Sequence, residues 1–296
     1  MRSAGEVMKR TLVSFYDDQM THHAAALTYY ALMSLFPAAL LALSLLALLG
    51  QYPETYAAII GYLRDVVPES ALAPLDSSLR DALQNKGTAV TALVTSVLLT
   101  LYGTTGVLEA ARRALNVVFE LDGGGRSFLR RKSTDIVSTF VLMALVLASM
   151  LMLFLGGEFA SDLFGFIGLG STATEVWSVL RWPGAFAVST LVFALIYYVT
   201  PDVEQRAFRW ITPGALAGVL VWLLASLAFS AYLSNVADVG ALFGAFAGAI
   251  ILVGWLWLTN VALLFGAELN AEIERQKELD EGVPEGETLN LTRKGT

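Results

Sequence analysis

The chain has 296 residues, is 56% hydrophobic and only 15% charged, and carries a formal net charge of −7. A soluble domain of this length needs more surface charge than that, and the acidic balance argues against a nucleic-acid partner. The absence of cysteine excludes disulfides and thiolate chemistry.

The charges are segregated. Six stretches lack Asp, Glu, Lys and Arg: 24–53, 87–108, 136–157, 182–201, 210–237 and 239–267. Each reaches the ~20 residues that a helix needs to cross a hydrocarbon core of about 30 Å. They do not alternate as the strands of a membrane barrel do. The expectation is an all-α polytopic membrane protein with six transmembrane helices. It divides into an N-terminal amphipathic interfacial helix (1–23), a transmembrane domain (24–271) and an acidic, disordered tail (272–296). The first apolar run is far longer than the core of a signal peptide, so it is expected to stay as an uncleaved anchor.

In residues 1–23, Met8, Leu12, Phe15, Tyr16 and Met20 recur at helical spacing between charged residues, which predicts a helix lying in the membrane interface. Asp18 and His22 stand one turn apart. They read either as a pair satisfied at headgroup level or as two ligands of a metal with no third, and no metal or cofactor is expected. The first span contains Pro37, which kinks a helix, either as static packing or for gating. Two apolar stripes in residues 54–86 predict short amphipathic helices between spans one and two, a cap or a lid. On the second span, Thr88, Thr91, Thr95, Tyr102, Thr105 and Glu109 share one face, which predicts an inward polar surface. Interhelical hydrogen bonding and a polar path for a substrate both account for it.

The triple glycine at 123–125 lacks the Gly-Lys-Ser/Thr ending of a phosphate loop and reads as a flexible turn. Residues 163–174 are too short to span and read as re-entrant or interfacial. The fifth span opens at Pro213 and carries Gly214 and Gly218. The sixth opens on a ladder, Gly240, Gly244 and Gly248, which leaves a groove for close helix packing. Packing and a sliding or gating surface are both open readings of that groove.

Alternating the links between the two sides of the membrane puts fifteen Lys and Arg on one side. Only Arg64, Arg80, Lys86 and Arg181 fall on the other. The positive-inside rule then places both termini in the cytoplasm. Glu109, Arg112, Arg113, Asp135, Asp202, Arg209 and Glu268 gather near cytoplasmic helix ends. Either they surround a vestibule, with Glu109 or Glu268 paired to Arg112, Arg113 or Arg209, or they are ordinary solvated ends.

Four phrases in order resemble the YihY/BrkB family of bacterial inner-membrane proteins: AAALTYYALMSLFP (24–37), YYVTP (197–201), PGALAGVLVW (213–222) and FGAELNAE (265–272). The resemblance covers nearly the whole chain except the tail and implies a six-helix protein with cytoplasmic termini. The family once carried the label ribonuclease BN, generally regarded as mistaken, and carries a virulence-factor label. A role in envelope lipid or lipopolysaccharide traffic has been suggested for relatives. It transfers no catalytic residue. The chain is therefore expected to be a non-enzymatic transporter or translocase of a lipid or other amphipathic envelope substrate. The alternative is a scaffold or assembly factor for the cell envelope. Membrane lipids are the expected partners, with a second copy or an envelope protein as further candidates. Nuclease chemistry wants clustered metal ligands near a basic groove, and here the carboxylates are scattered.

Overall fold

In hydrocarbon a backbone has no water to bond, so a long apolar run satisfies its amides internally as helix. A computed structural model of the protein describes residues 4–49, 86–121, 128–154, 170–202, 212–235, 247–282 and 289. Among these, the secondary structure is entirely helical: α1 (Ala4–Asp17), α2 (Met20–Leu49), α3 (Lys86–Val118), α4 (Phe128–Phe154), α5 (Gly170–Val199), α6 (Pro213–Asn235) and α7 (Ala247–Asp280). Four segments are long and apolar enough to cross a membrane: Leu93–Val118, Thr172–Val199, Pro213–Ser234 and Gly248–Asp280. The charge-free runs 24–53 and 136–157 fall largely in α2 and α4. The expected helices of 54–86, the glycine turn at 123–125, the run 163–169 and nearly all of the tail beyond residue 282 lie outside the described residues.

The helix ends follow local chemistry. Thr212 caps α6, its Oγ1 accepting from the Ala215 amide at 3.1 Å, and Pro213 fills the first helical position. Gln19, between α1 and α2, takes a left-handed conformation (φ 53°), and its carbonyl accepts the first amide bonds of α2, from His22 and His23. α5 begins at Gly170, earlier than the charge pattern implies. Arg181, expected in a link, lies within the helix, with its guanidinium 5.1 Å from the Trp182 ring. Pro37 and Pro183 both sit inside continuous helices.

Packing divides the chain into two units. The first comprises Met1–Ala25, Leu108–Leu227 and Leu258–Thr296; the second comprises Ala26–Val107 and Ala228–Trp257. In the first unit α4 packs on α5, with Ser149 and Ser189 hydroxyls 3.2 Å apart. α6 and α7 meet backbone to backbone. A Cβ at Gly214 would overlap the Gly266 carbonyl, and one at Gly266 would overlap both the Gly214 carbonyl and the Tyr197 hydroxyl. Gly218 lies equally close to Phe193 and to the Ala262 carbonyl. Around this contact Tyr197 donates to the Leu263 carbonyl, Asn270 accepts from the Gly214 amide at 2.8 Å, and Trp222 donates to Thr259 at 3.1 Å. Three of the four phrases that carry the family resemblance thus converge on one knot.

In the second unit Gly103 of α3 stands against the backbone of Ser34 on α2, and Gly106 against the Tyr30 ring. The first phrase supplies that surface. Gly248, by contrast, has no described atom within 4 Å of a Cβ position, and Gly240 and Gly244 lie outside the described residues. Spacing alone marks a groove; the partner of Gly214 is Gly266, which belongs to no ladder.

The distribution of side chains is inverted relative to a soluble protein. Ala114, Ala215, Ala262, Ala267 and Thr190 are buried, while Leu98, Val137, Phe140, Leu224 and Leu227 are exposed. Small interiors and large apolar exteriors suit a lipid solvent, where close packing rather than apolar burial holds helices together. Replacing Gly266 with Val is expected to destabilise the detergent-solubilised protein by about 3 kcal/mol or more, at the upper end of overpacking costs. Gly248→Ala should be neutral or raise stability by up to about 1 kcal/mol through helix propensity. Thermal unfolding of the two variants side by side checks both.

Candidate functional site: buried charges at the helix ends

The charged groups of the first unit sit on the last turns of α3 and α5, the first turns of α4 and the outer half of α7. Arg112, 3% exposed, pairs with Asp135 of α4, which is equally buried, and reaches Glu109 at 3.1 Å. Arg113 points outward and meets Glu109 at 3.5 Å. α3 continues to Val118, so Glu109 is not at a helix end and its charge is answered on its own helix. The pair remains incompletely satisfied: Arg112 Nε and Asp135 Oδ2 meet no described partner. Buried charges in such a state are costly, which marks the place as more than filler.

One turn further along α3, Asn116 and Asp202 bond reciprocally. The Asn116 amide donates to Asp202 Oδ2 at 3.3 Å, and the Asp202 backbone amide donates to Asn116 Oδ1 at 3.1 Å. This ties the end of α5 to α3. α3 then closes with Glu120 in the left-handed region (φ 54°), where glycine is the usual residue. The Leu121 amide reaches back to Asn116 O and the Glu120 amide to Val117 O, the paired bonds of a Schellman cap. The Glu120 carboxylate is held by Arg275 of α7 and accepts from the Leu289 amide at 3.2 Å.

α1 turns its polar side to α7. Arg10 donates to Glu272 at 2.8 Å and to Gln276 at 2.9 Å, Ser14 donates to Glu272 at 3.0 Å, and Phe15 meets Phe265 edge-on. Met8, Leu12, Val13 and Tyr16 are left exposed on α1. Glu268, expected to pair with an arginine, meets none among the described residues. Its neighbour is another acid, Asp18 of the α1–α2 turn, at hydrogen-bonding distance. Burial pushes the Asp18 carboxyl above its ordinary 3.8, a bond from Glu268 opposes that rise, and Glu120 and Asp17 add to it. Burial likewise holds His23 below its ordinary 6.5.

Of the seven vestibule candidates, the structure joins Glu109, Arg112, Arg113 and Asp135. It places Asp202 with Asn116 and Glu268 with Asp18, while Arg209 lies outside the described residues. Of the candidate polar path, Thr91 and Thr95 are exposed, and so is Tyr102 at 81%; the side chain of Thr88 lies outside the described residues. Thr105, half-buried, donates to the Tyr102 carbonyl on its own helix. The hydroxyls that α3 buries are Ser96 and Thr100. A hydroxyl can return its proton to a carbonyl three or four residues back, as Ser96 does to Leu93, so a row of threonines need not face protein. Asp18, Asn116, Glu120, Glu272 and Arg275 were missed as partners, since their contacts join distant segments and leave no local signature. Among the described residues no group of three His, Asp or Glu has metal-holding geometry.

The sequence matches the family described as "Virulence factor BrkB" over residues 11–289. The chain belongs to the BrkB family. All four phrases that carried the resemblance lie within that match. Among its relatives is the Bacillus subtilis (strain 168) protein named "Putative ribonuclease-like protein YfkH", 28% identical over 261 residues, covering 88% of this chain and 92% of that protein. Another is the "UPF0761 membrane protein" of Xanthomonas oryzae pv. oryzae (strain PXO99A), 27% identical over 262 residues and 86% of this chain. The BrkB-family chain spans 57% of that Xanthomonas protein's length. No solved structure matches it. A membrane protein of the BrkB family accounts for the inverted side-chain distribution and the apolar helices.

Removing Asp135 leaves Arg112 buried without its counter-charge. Asp135→Ala should cost about 3–5 kcal/mol, while the double replacement Arg112→Met with Asp135→Leu should recover most of that loss. Glu109→Ala, at a half-exposed carboxylate, should cost no more than about 1 kcal/mol. Chemical denaturation in detergent measures all three.

Proposed function

We infer that this BrkB-family protein is a non-enzymatic transporter or translocase of a lipid or other amphipathic envelope substrate. In this reading it crosses a bacterial inner membrane six times with both termini in the cytoplasm. One observation carries the reading. Imperfectly satisfied buried polar groups, Arg112 with Asp135 and Glu268, lie in the same unit as α1, a helix with its polar side tied to α7 and its apolar side open. Polar groups beside an open apolar face match the two halves of an amphipathic molecule: charge for a headgroup, apolar surface for acyl chains. The Lys and Arg bias supports a cytoplasmic position for this region. Membrane lipids are the proposed partners, and no nucleic acid enters the reading.

The scaffold reading draws support from a different observation, the interlocked glycine contact of α6 and α7, which suits a static bundle. Lipid movement separates the two. Purified protein in liposomes should move fluorescently labelled phospholipid between leaflets faster than empty vesicles, and Arg112→Gln should slow it about tenfold if Arg112 meets the headgroup. No movement above empty vesicles would favour the scaffold. RNA cleavage by the purified protein that requires intact Asp18 and His22 would instead revive an enzymatic reading.

The topology has its own test. Reporters that are active only in the cytoplasm, fused after Arg131 and after the C-terminus, should both be active. Activity of a periplasm-only reporter at Arg131 would overturn the six-span arrangement.

A further inference from the structure

Two carboxyl groups can hold a hydrogen bond only with a proton between them. Asp18 and Glu268 make that contact across the α1–α2 turn and α7. Among the described residues neither has a cation of its own. Arg10 is engaged by Glu272 and Gln276, and Arg275 by Glu120 and Glu272. The other charged groups facing the pair are acidic: Asp17 from α1, Glu120 from the end of α3 and Glu272 from the next turn of α7. From α2, His22 and His23 complete the surroundings, and burial keeps His23 neutral at neutral pH.

A separate observation points to a ligand. Glu268 is 1% exposed, and among the described residues its Oε1 meets no hydrogen-bond donor. Asp18 is only half-buried, so water has access to the pair from its side. A buried, unpaired carboxylate oxygen beside a second carboxyl, with every nearby arginine engaged elsewhere, calls for a small cation, and the contact between the two acids fits the smallest.

We propose that Asp18 and Glu268 form a proton-binding site, filled from the aqueous side through Asp18, whose occupancy ties the α1–α2 turn to α7. The proposal deepens the transport reading and rests on it for its purpose: a bound proton supplies a coupling ion to a chain without a nucleotide-binding motif. When the proton leaves, two like charges face each other among three further acids, and the turn is driven off α7. The contact holds while one proton remains between the two acids and is lost when rising pH removes that last proton. His23 acts in the opposite sense, since on gaining charge in acid it competes as a counter-cation for Asp18.

The full chain in lipid nanodiscs tests this by infrared difference spectroscopy and amide hydrogen exchange across a pH titration. A protonated-carboxyl C=O band should titrate in the native protein, be lost in Glu268→Gln, and shift in frequency and midpoint in Asp18→Asn. Over the same interval, exchange of amides 14–23 should rise about tenfold in the native protein and stay flat in Glu268→Gln, whose neutral amide keeps the contact. If Glu268→Gln does not fold, Asp18→Asn, at a half-exposed turn, reports the same two signals. A band indifferent to both substitutions, or exchange in Glu268→Gln that follows pH as the native protein does, overturns the site. So does abolition of the band by added sodium or magnesium, which would make a metal cation the ligand. Lipid movement is measured separately. A titrating band with no lipid movement sinks the transport reading alone; pH-independent lipid movement without the band sinks the proton site alone.

Discussion

The carbonyls of Gly214 and Gly266 each stand where the other residue's methyl group would be. In water, two helices can be driven together by hiding leucines; in lipid that drive is absent, and contact depends on how closely backbones approach and on the polar bonds they trap. The α6–α7 approach sets the rest of its unit. It brings Asn270 to the exposed amide at the start of α6, and it seats the Tyr197 hydroxyl on the Leu263 carbonyl. It also fixes the stretch of α7 from which Glu268 and Glu272 reach Asp18, Arg10 and Ser14.

Charge is then distributed in two grades. Exposed groups such as Arg113 and Glu109 add little, because solvent screens them. Arg112, Asp135 and Glu268 are withdrawn from solvent, where each unsatisfied atom weighs on stability. Asn116 with Asp202 shows how the same region can be satisfied, with both partners giving and receiving. The contrast between that closed exchange and the unfinished bonds of Arg112 and Glu268 separates structural from functional polarity here.

The helical, membrane-embedded character was legible in the sequence because it is a matter of composition and run length, and lipid leaves the backbone few alternatives. The placement of charge at the borders of the charge-free runs was legible for the same reason, at Glu109, Asp135, Asp202 and Glu268, although the helices run on past Glu109 and Glu268. Pairing within one helix was legible, as Glu109 with Arg112 and Arg113 shows, but pairing between helices was not. Arg112 to Asp135 and Asp18 to Glu268 depend on which helices are neighbours, and no periodicity encodes that. The hydroxyl face of α3 left its surroundings open, because threonine can satisfy itself on its own helix. The Gly240 ladder drew attention by its spacing, while Gly266, a lone glycine in a helix, gave no pattern at all. The phrases that resemble the BrkB family did mark the packing knot, but only as a family trait.

Glu120 occupies a backbone position where most side chains are strained, and its carboxylate is the handle by which Arg275 and the Leu289 amide are held. Glycine there would relax the bend and discard the handle; alanine would keep the strain and discard it too. The position is therefore a local compromise in which comfort of the chain is surrendered for aim: the awkward turn points one acid at two segments far away in sequence. A variant selected only for a more robust fold would drift toward glycine at residue 120, and in doing so would uncouple the far end of α7 and the stretch at residue 289 from the end of α3.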